Sequence, residues 1–297
     1  MAWTTADLLT AVKNRQMIPD ASTGSLSSAA LLQYATEELY ITLVPIMLGI
    51  REKYYETYLD TPYTTATTSI PIPSRSIGST LSCVQFINGF FVRNLEPIDT
   101  SAIATTETAI DPSHFYFQNN SIIPYPPPTS SHGTLRMRYF QRPSRLEQTV
   151  NCAQITIFDP VGMVATCVPP PSWTTSSIVD FIPQTASQCT PYNLNTAVSN
   201  TSSTTLTLTL TAAQAALVSV GDWIALSEYS PIPEIPFELQ PVLTQATCCR
   251  ALVALNDQTA LVSGKAELAE YVDKAVKILT PRDQQGNKKV VSNWRRF

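Results

Sequence analysis

Apolar residues recur every three to four positions at both ends of this chain and every second position through its middle. A 3.6-residue period buries one stripe of a helix and a two-residue period buries one face of a strand, so helices flank a long β region. Thr4 or Thr5 caps a first helix over 5–16, with Asp7 in its first turn and Leu8, Leu9 and Val12 on one side, and Pro19 closes it. Ser27 or Ser28 opens a longer helix whose stripe is Leu31, Leu32, Ala35, Leu39, Leu43, Ile46 and Ile50. Pro45 interrupts it, lacking an N–H and crowding the carbonyl of Ile41, which predicts a kink or a break.

From Tyr63 the period is two. "TTATTSIPIP" has strand character, and Asn88-Gly89 in "LSCVQFINGFFV" supplies the positive φ angles of a hairpin turn. Asn119-Asn120 turns a second hairpin between Phe117 and Ile122, and Asp159-Pro160-Val161-Gly162 turns a third. "GTLRMRYF" alternates Leu135, Met137 and Tyr139 with Thr134, Arg136 and Arg138; "TTLTLTLT" buries Leu206, Leu208 and Leu210 on one face. With only 9 glycines against 23 prolines, the composition suits short strands with proline-marked turns. Pro231, Pro233 and Pro236 then form an extended connector. Phe237, Leu243, Ala246, Cys249 and Val253 restore a helical period, and a last helix over 260–279 turns Leu268, Val272, Ala275 and Leu279 inward before Pro281.

The expected fold class is α+β: a helical domain built from both chain termini, an inserted antiparallel β-domain of barrel or sandwich form, and an extended C-terminal arm. The expected boundaries are 1–60 for the N-terminal helices, 61–230 for the β-domain, 231–280 for the C-terminal helices and 281–297 for the arm.

Catalytic carriers are scarce. His114 and His132 have no Cys, Asp or His at metal-ligand spacing, Gly-x-Ser-x-Gly is missing, and Gly264-Lys265 lacks the upstream glycine of a phosphate loop. Glu37-Glu38 and Glu267/Glu270 fall on helix faces where solvated charge is the expected role. The reading is therefore of a non-enzyme without cofactor or metal. The six cysteines carry no Cys-x-x-Cys pair and read as reduced thiols, Cys248 and Cys249 within one helix. The N-terminus lacks the features of a signal peptide and no apolar run is long enough to span a membrane, so a soluble protein made in the cytoplasm, without membrane partners, is expected. Arg136, Arg138, Arg142 and Arg145, interleaved with Tyr139 and Phe140, form a candidate β-face interface, either for single-stranded nucleic acid or as the outer face of a half-buried strand.

Charge is unevenly distributed. The stretch "PRDQQGNKKVVSNWRRF" sets Arg282, Lys288, Lys289, Arg295 and Arg296 against Asp283 alone, a surplus of four cations on a chain of formal charge -4. The body before it therefore carries -8.

The stretches "VKNRQMIPD", "EELYITLVPIMLGIREKYYETYLD", "IPIPSRSIGSTLSCVQFI", "GTLRMRYFQRPSRL" and "GDWIALSEYSPIPEIPFELQPVLTQATCCRALVALND" together resemble the head-to-tail connector, or neck adaptor, proteins of tailed bacteriophages. Residues 168–204 carry no part of the likeness. The resemblance implies a ring, commonly of twelve copies, that joins the portal protein to the tail or tail-nozzle proteins in the neck of the virion. Genomic DNA would pass through its lumen without sequence-specific binding. It further implies that the C-terminal arm docks on the portal: Lys288, Lys289, Arg295 and Arg296 by charge, Val290 and Val291 along a groove or strand edge, Trp294 and Phe297 as buried anchors. The alternative is a nucleic-acid- or carbohydrate-binding β-module on a helical stalk.

Overall fold

A computed structural model describes residues 3–16, 26–103, 109–127, 129–170, 172–184 and 191–280. The fold is α+β, with helices supplied by both chain ends and a β region inserted between them. Two compact units divide the chain: Met1–Thr10 with Glu52–Glu234, and Ala11–Arg51 with Ile235–Phe297.

Helix α1 (Thr5–Gln16) is shared between the units. Its first turn belongs to the β unit, where the Thr5 N–H donates to Pro231 O at 2.8 Å and Thr5 Oγ1 to Glu147 O at 2.6 Å. In the helical unit, α2 (Ser28–Glu38) is capped by Ser27 and runs into a π-helical turn, Leu39–Leu43, followed by α3 (Val44–Ile50). The interruption predicted at Pro45 is thus a widened turn just before it: the Val44 N–H reaches back five residues to Leu39 O, and Pro45 sits in the first turn of α3, where no N–H is needed.

The β unit starts earlier than the change of period suggests. Residues 56–62 form β1 (Glu56–Pro62), while "TTATTSIPIP" is mostly loop and contributes only β2 (Ile70–Pro71). The long β3 (Ser76–Asn88) and β4 (Phe91–Pro97) make the first hairpin. Asn88 pairs with Phe91, so the turn residues are Gly89 and Phe90, one position later than Asn88-Gly89; Gly89 at φ +60 supplies the positive angle. The second hairpin, β5 (His114–Gln118) and β6 (Ser121–Tyr125), turns at Asn119-Asn120, with Asn119 at φ +53. With β7 (Thr134–Gln141) these strands form a seven-stranded sheet in the order β1-β7-β3-β4-β5-β6-β2. Leu135, Met137 and Tyr139 are buried, and Phe86 and Val84 lie opposite the first two on β3. Tyr63 stands edge-on to Phe86 in the same core.

The chain continues through β8 (Arg145–Leu146), β9 (Ala153–Gln154), β10 (Ile157–Asp159), β11 (Val164–Thr166), β12 (Ile178–Ile182), β13 (Tyr192–Thr201) and β14 (Thr205–Leu208). After a short α4 (Ala212–Ala215) come β15 (Trp223–Leu226) and β16 (Tyr229–Ser230). The second seven-stranded sheet has the order β10-β11-β14-β13-β12-β15-β9, and β16 pairs with β8. Leu206 and Leu208 are buried as the alternation requires, beside Trp173, Val179 and Phe181 from the stretch that sequence patterning left unassigned. Pairing is antiparallel except between β4 and β5 and between β8 and β16.

In the helical unit, α5 (Gln240–Ala254) packs on α2 and on α6 (Gln258–Leu279). Leu39, Leu43, Leu243 and Ala246 are buried, but Val253 is 52% exposed and Phe237 72% exposed, against the inward placement that the period predicts for both. The arm, 281–297, lies outside the described residues. Among the described residues no helix is long and apolar enough to cross a membrane.

Candidate functional site

Four residues that the sequence does not flag converge in the β unit. Arg75 ends the loop before β3, Ser144 follows β7, Asp180 sits in the middle of β12, and Glu234 lies in the proline connector; all four are buried. Arg75 Nη2 lies 2.9 Å from Asp180 Oδ2 and donates to Ser144 Oγ at 3.1 Å. The Ser144 N–H donates to Glu234 Oε1 at 2.9 Å. Tyr55, also buried, donates its hydroxyl to the backbone carbonyl of Glu234 at 3.2 Å.

Asp180 is the hub. Its Oδ1 accepts the N–H of Asn195 and its Oδ2 the N–H of Glu228, each at 2.8 Å. Asn195 and Glu228 have φ of +57 and +71, a left-handed conformation that costs side-chain-bearing residues free energy. One carboxylate thus fixes two strained turns and neutralises a buried guanidinium. It does so where the β12–β13 register shifts, between Val179 and Phe181.

Burial pushes the Glu234 carboxyl up to about 7, with Asp180 adding to the rise and the Ser144 hydrogen bonds and Arg75 opposing it. Its fixed hydrogen bond and two flanking charges resemble a tuned acid, and the Ser144 beside it is itself buried. Arg75 Nη1 and Gln141 Nε2 are the buried side-chain polar atoms among the described residues that have no hydrogen-bond partner. Chemically this is an internal clamp between segments.

Three of the four fall in stretches on which the expected likeness rests, Arg75 in "IPSRSIG", Ser144 in "RYFQRPS" and Glu234 in "SPIPEIP", whereas Asp180 lies in 168–204, outside it. A signal for them existed in the sequence. Arg75 and Glu234 are lone charges among prolines and isoleucines, a setting that demands a buried partner. Asp180, within "IVDFI", is the same kind of signal on a strand.

Of the candidate β-face arginines, Arg136 and Arg138 share one face of β7. Arg136 is held by Asp60 through two hydrogen bonds of 2.7 and 2.8 Å and lies 4.1 Å from the Tyr58 ring centroid. Arg138 Nε donates to Gln85 Oε1 at 3.3 Å. Arg142 and Arg145 lie beyond that strand, exposed, in the loop after it and in β8. The arm residues Lys288, Lys289, Val290, Val291, Trp294, Arg295, Arg296 and Phe297 lie outside the described residues.

His132 also enters a polar chain. Its Nε2 is 2.6 Å from Asp111 Oδ1, and its Nδ1 faces both Ser130 Oγ at 3.1 Å and Ser130 O at 3.3 Å. The serine–histidine–aspartate order invites a hydrolase reading, but the geometry opposes it. A carboxylate faces one ring nitrogen and a carbonyl the other, so both favour a protonated nitrogen, and the Asp111 hydrogen bond raises the imidazole pKa. At Nδ1 the Ser130 carbonyl competes with the Ser130 hydroxyl for the same ring nitrogen.

In the helical unit, Arg250 Nε pairs with Glu38 Oε1 at 2.5 Å beside a cavity of about 250 Å³ that Cys249, Leu261, Lys265 and Leu268 help to line. Burial raises the Cys249 thiol, which makes it a poor nucleophile. Among the described residues no group of three or more His, Cys, Asp or Glu side chains is placed to hold a metal ion. Comparison with protein-family models and with curated proteins finds no match for this chain.

Proposed function

We propose that this chain is a structural virion protein: a head-to-tail adaptor that forms a ring between the portal protein and the tail of a tailed bacteriophage and lines part of the DNA conduit. The observation that carries the reading is the convergence of "IPSRSIG", "RYFQRPS" and "SPIPEIP", three stretches of the connector likeness, on one buried charge network. Their meeting suits a fold whose function is to hold a shape under load.

Exposed apolar side chains on the helical unit (Ile41, Phe237, Val253, Val262 and Ile278) suit contacts between copies in a ring. The -8 charge before the arm suits a lumen through which DNA slides without adhering. A nucleic-acid-binding β-module is the second reading, favoured by the exposed Tyr58 under Arg136; Asp60, which already occupies that guanidinium, weighs against it.

The test is a chain stopped after Thr280. It should melt near the full-length temperature yet no longer co-purify with portal protein or complete heads. Trp294→Ala should weaken portal binding at any salt, and reversing Arg295 and Arg296 should do so mainly at low salt. Portal binding by the shortened chain equal to that of the full chain would remove the arm from this reading.

A further inference from the structure

The β3–β4 hairpin carries the most exposed apolar tip described. Phe90 projects wholly into solvent at its turn, followed by Phe91 and Val92, both about half exposed. The stem is well held: Gly89 sets the turn, the ladder pairs Asn88 with Phe91 through Val84 with Leu95, and Gln85 Nε2 donates to Asn94 Oδ1 at 2.9 Å. Beyond β4 the neighbouring strand pairs only at Glu96 and Pro97, so the outer half of the hairpin stands with one partner strand. Two phenyl rings and a valine held rigidly in water are a costly arrangement unless something covers them.

The same unit carries a cavity of about 340 Å³ lined by Tyr116, Ile123, Pro124 and Pro127 together with Thr65, Thr67 and Thr68. An apolar cavity of roughly 150 Å³ suffices for a benzene ring. The hairpin cannot fill its own cavity. In the parallel β4–β5 register Pro97 lies beside Phe115; Phe90 is seven residues before Pro97 and Tyr116 one after Phe115, a separation of roughly 26 Å along the strands. Tip and cavity therefore lie toward opposite ends of the strand axis.

We propose that Phe90 at the tip of the β3–β4 hairpin seats in the Tyr116–Pro127 cavity of a second copy of this chain. The inference deepens the ring reading above and rests on it. Because knob and hole lie on different parts of the surface, the contact is heterologous: each copy offers its tip to one neighbour and its cavity to the other, which closes into a ring or runs on as a filament. A single ring buries only about 150–250 Å², so Phe90 acts as an anchor within a wider contact, and each contact alone is weak.

The experiment uses the full chain without portal protein, so its outcome is separable from that of arm docking. Sedimentation velocity over a concentration series should show self-association of the wild type, weakened at least tenfold in Phe90→Ser at an unchanged melting temperature. A photoreactive benzophenone side chain placed at position 90 should crosslink between copies, to the peptide holding Tyr116 to Pro127. A wild type that is monomeric at every concentration, an unchanged association in Phe90→Ser, or a crosslink confined to other peptides would each overturn the proposal.

Discussion

Arg75 Nη2 stands 2.9 Å from Asp180 Oδ2, and that contact ties the segment entering β3 of one sheet to β12 of the other. Both side chains are buried, so neither charge has water to fall back on. The pair is better understood as a condition of the fold than as a surplus of stability, since a buried ion pair contributes little net free energy while breaking one is expensive.

Asp180→Ala should therefore destabilise the β unit by about 3–5 kcal/mol, because it strands Arg75 and takes the acceptor from the Asn195 and Glu228 amides. Asp180→Asn, which keeps one carbonyl acceptor, should cost less. Urea midpoints of the two variants check the order, and a wild-type midpoint for the alanine variant refutes the hub.

Glu234 makes stability depend on pH. Its folded carboxyl titrates at about 7 against an ordinary 4.5, so the folded state keeps a proton that the unfolded chain releases between those values. Stability from this group is complete below pH 4.5 and is lost as pH rises to about 7, a fall of about 3 kcal/mol. His132, also raised, gives a slope of the same sign, so the variant isolates the share of Glu234. Glu234→Gln should flatten the dependence of the urea midpoint across that interval, and an unchanged slope would assign it elsewhere.

Substitutions in the helical unit should divide by burial and not by helical period. Leu43→Asp places a carboxylate at a site that is 0% exposed and should cost several kcal/mol, whereas Val253→Asp at 52% exposure should change the melting temperature little. Equal losses in both would show that Val253 is covered in the folded state.

Two glycines should respond oppositely to alanine. At Gly133, φ is +71 and a Cβ would lie 2.7 Å from Ile87 O, so Gly133→Ala should destabilise by about 1–3 kcal/mol. At Gly49, inside α3, a Cβ meets nothing within 4 Å, and Gly49→Ala should stabilise by about 0.4–1 kcal/mol. Thermal melts of the two variants decide both signs.

The sequence revealed elements where burial is one-sided and chemistry is local. Leu206 and Leu208 or Leu135 and Met137 announce their faces by alternation, and Asn119-Asn120 announces its turn. It misled where exposure depends on the neighbour. Val253 continues the α5 period but stays half exposed, and β1 goes unassigned, most of it inside the expected 1–60 boundary, because both its faces are largely open and its alternation is weak. The Asn88-Gly89 turn slipped by one because the register of β3 on β4 draws Asn88 into the ladder and leaves Gly89 to open the turn. The charge network was the least legible part. Its members stand 36 to 159 positions apart, and only packing tells which lone arginine meets which lone aspartate.

The widened turn at Leu39–Leu43 sets the angular phase of the N-terminal helices. It holds one surplus residue, and each residue advances an α-helix by about 100°, so it acts as a tolerated single-residue insertion whose offset keeps Leu39 on one side and Leu43 and Met47 on the other within the same core. Pro45→Ala alone leaves the surplus in place and the turn wide. Deleting one of Tyr40, Ile41 or Thr42 alone leaves a proline where a continuous α-helix needs a donor. Only the two changes together join α2 to α3 as one rod with its stripes aligned, so a drift toward an uninterrupted helix needs two separate changes, and the deletion is unfavourable while Pro45 remains.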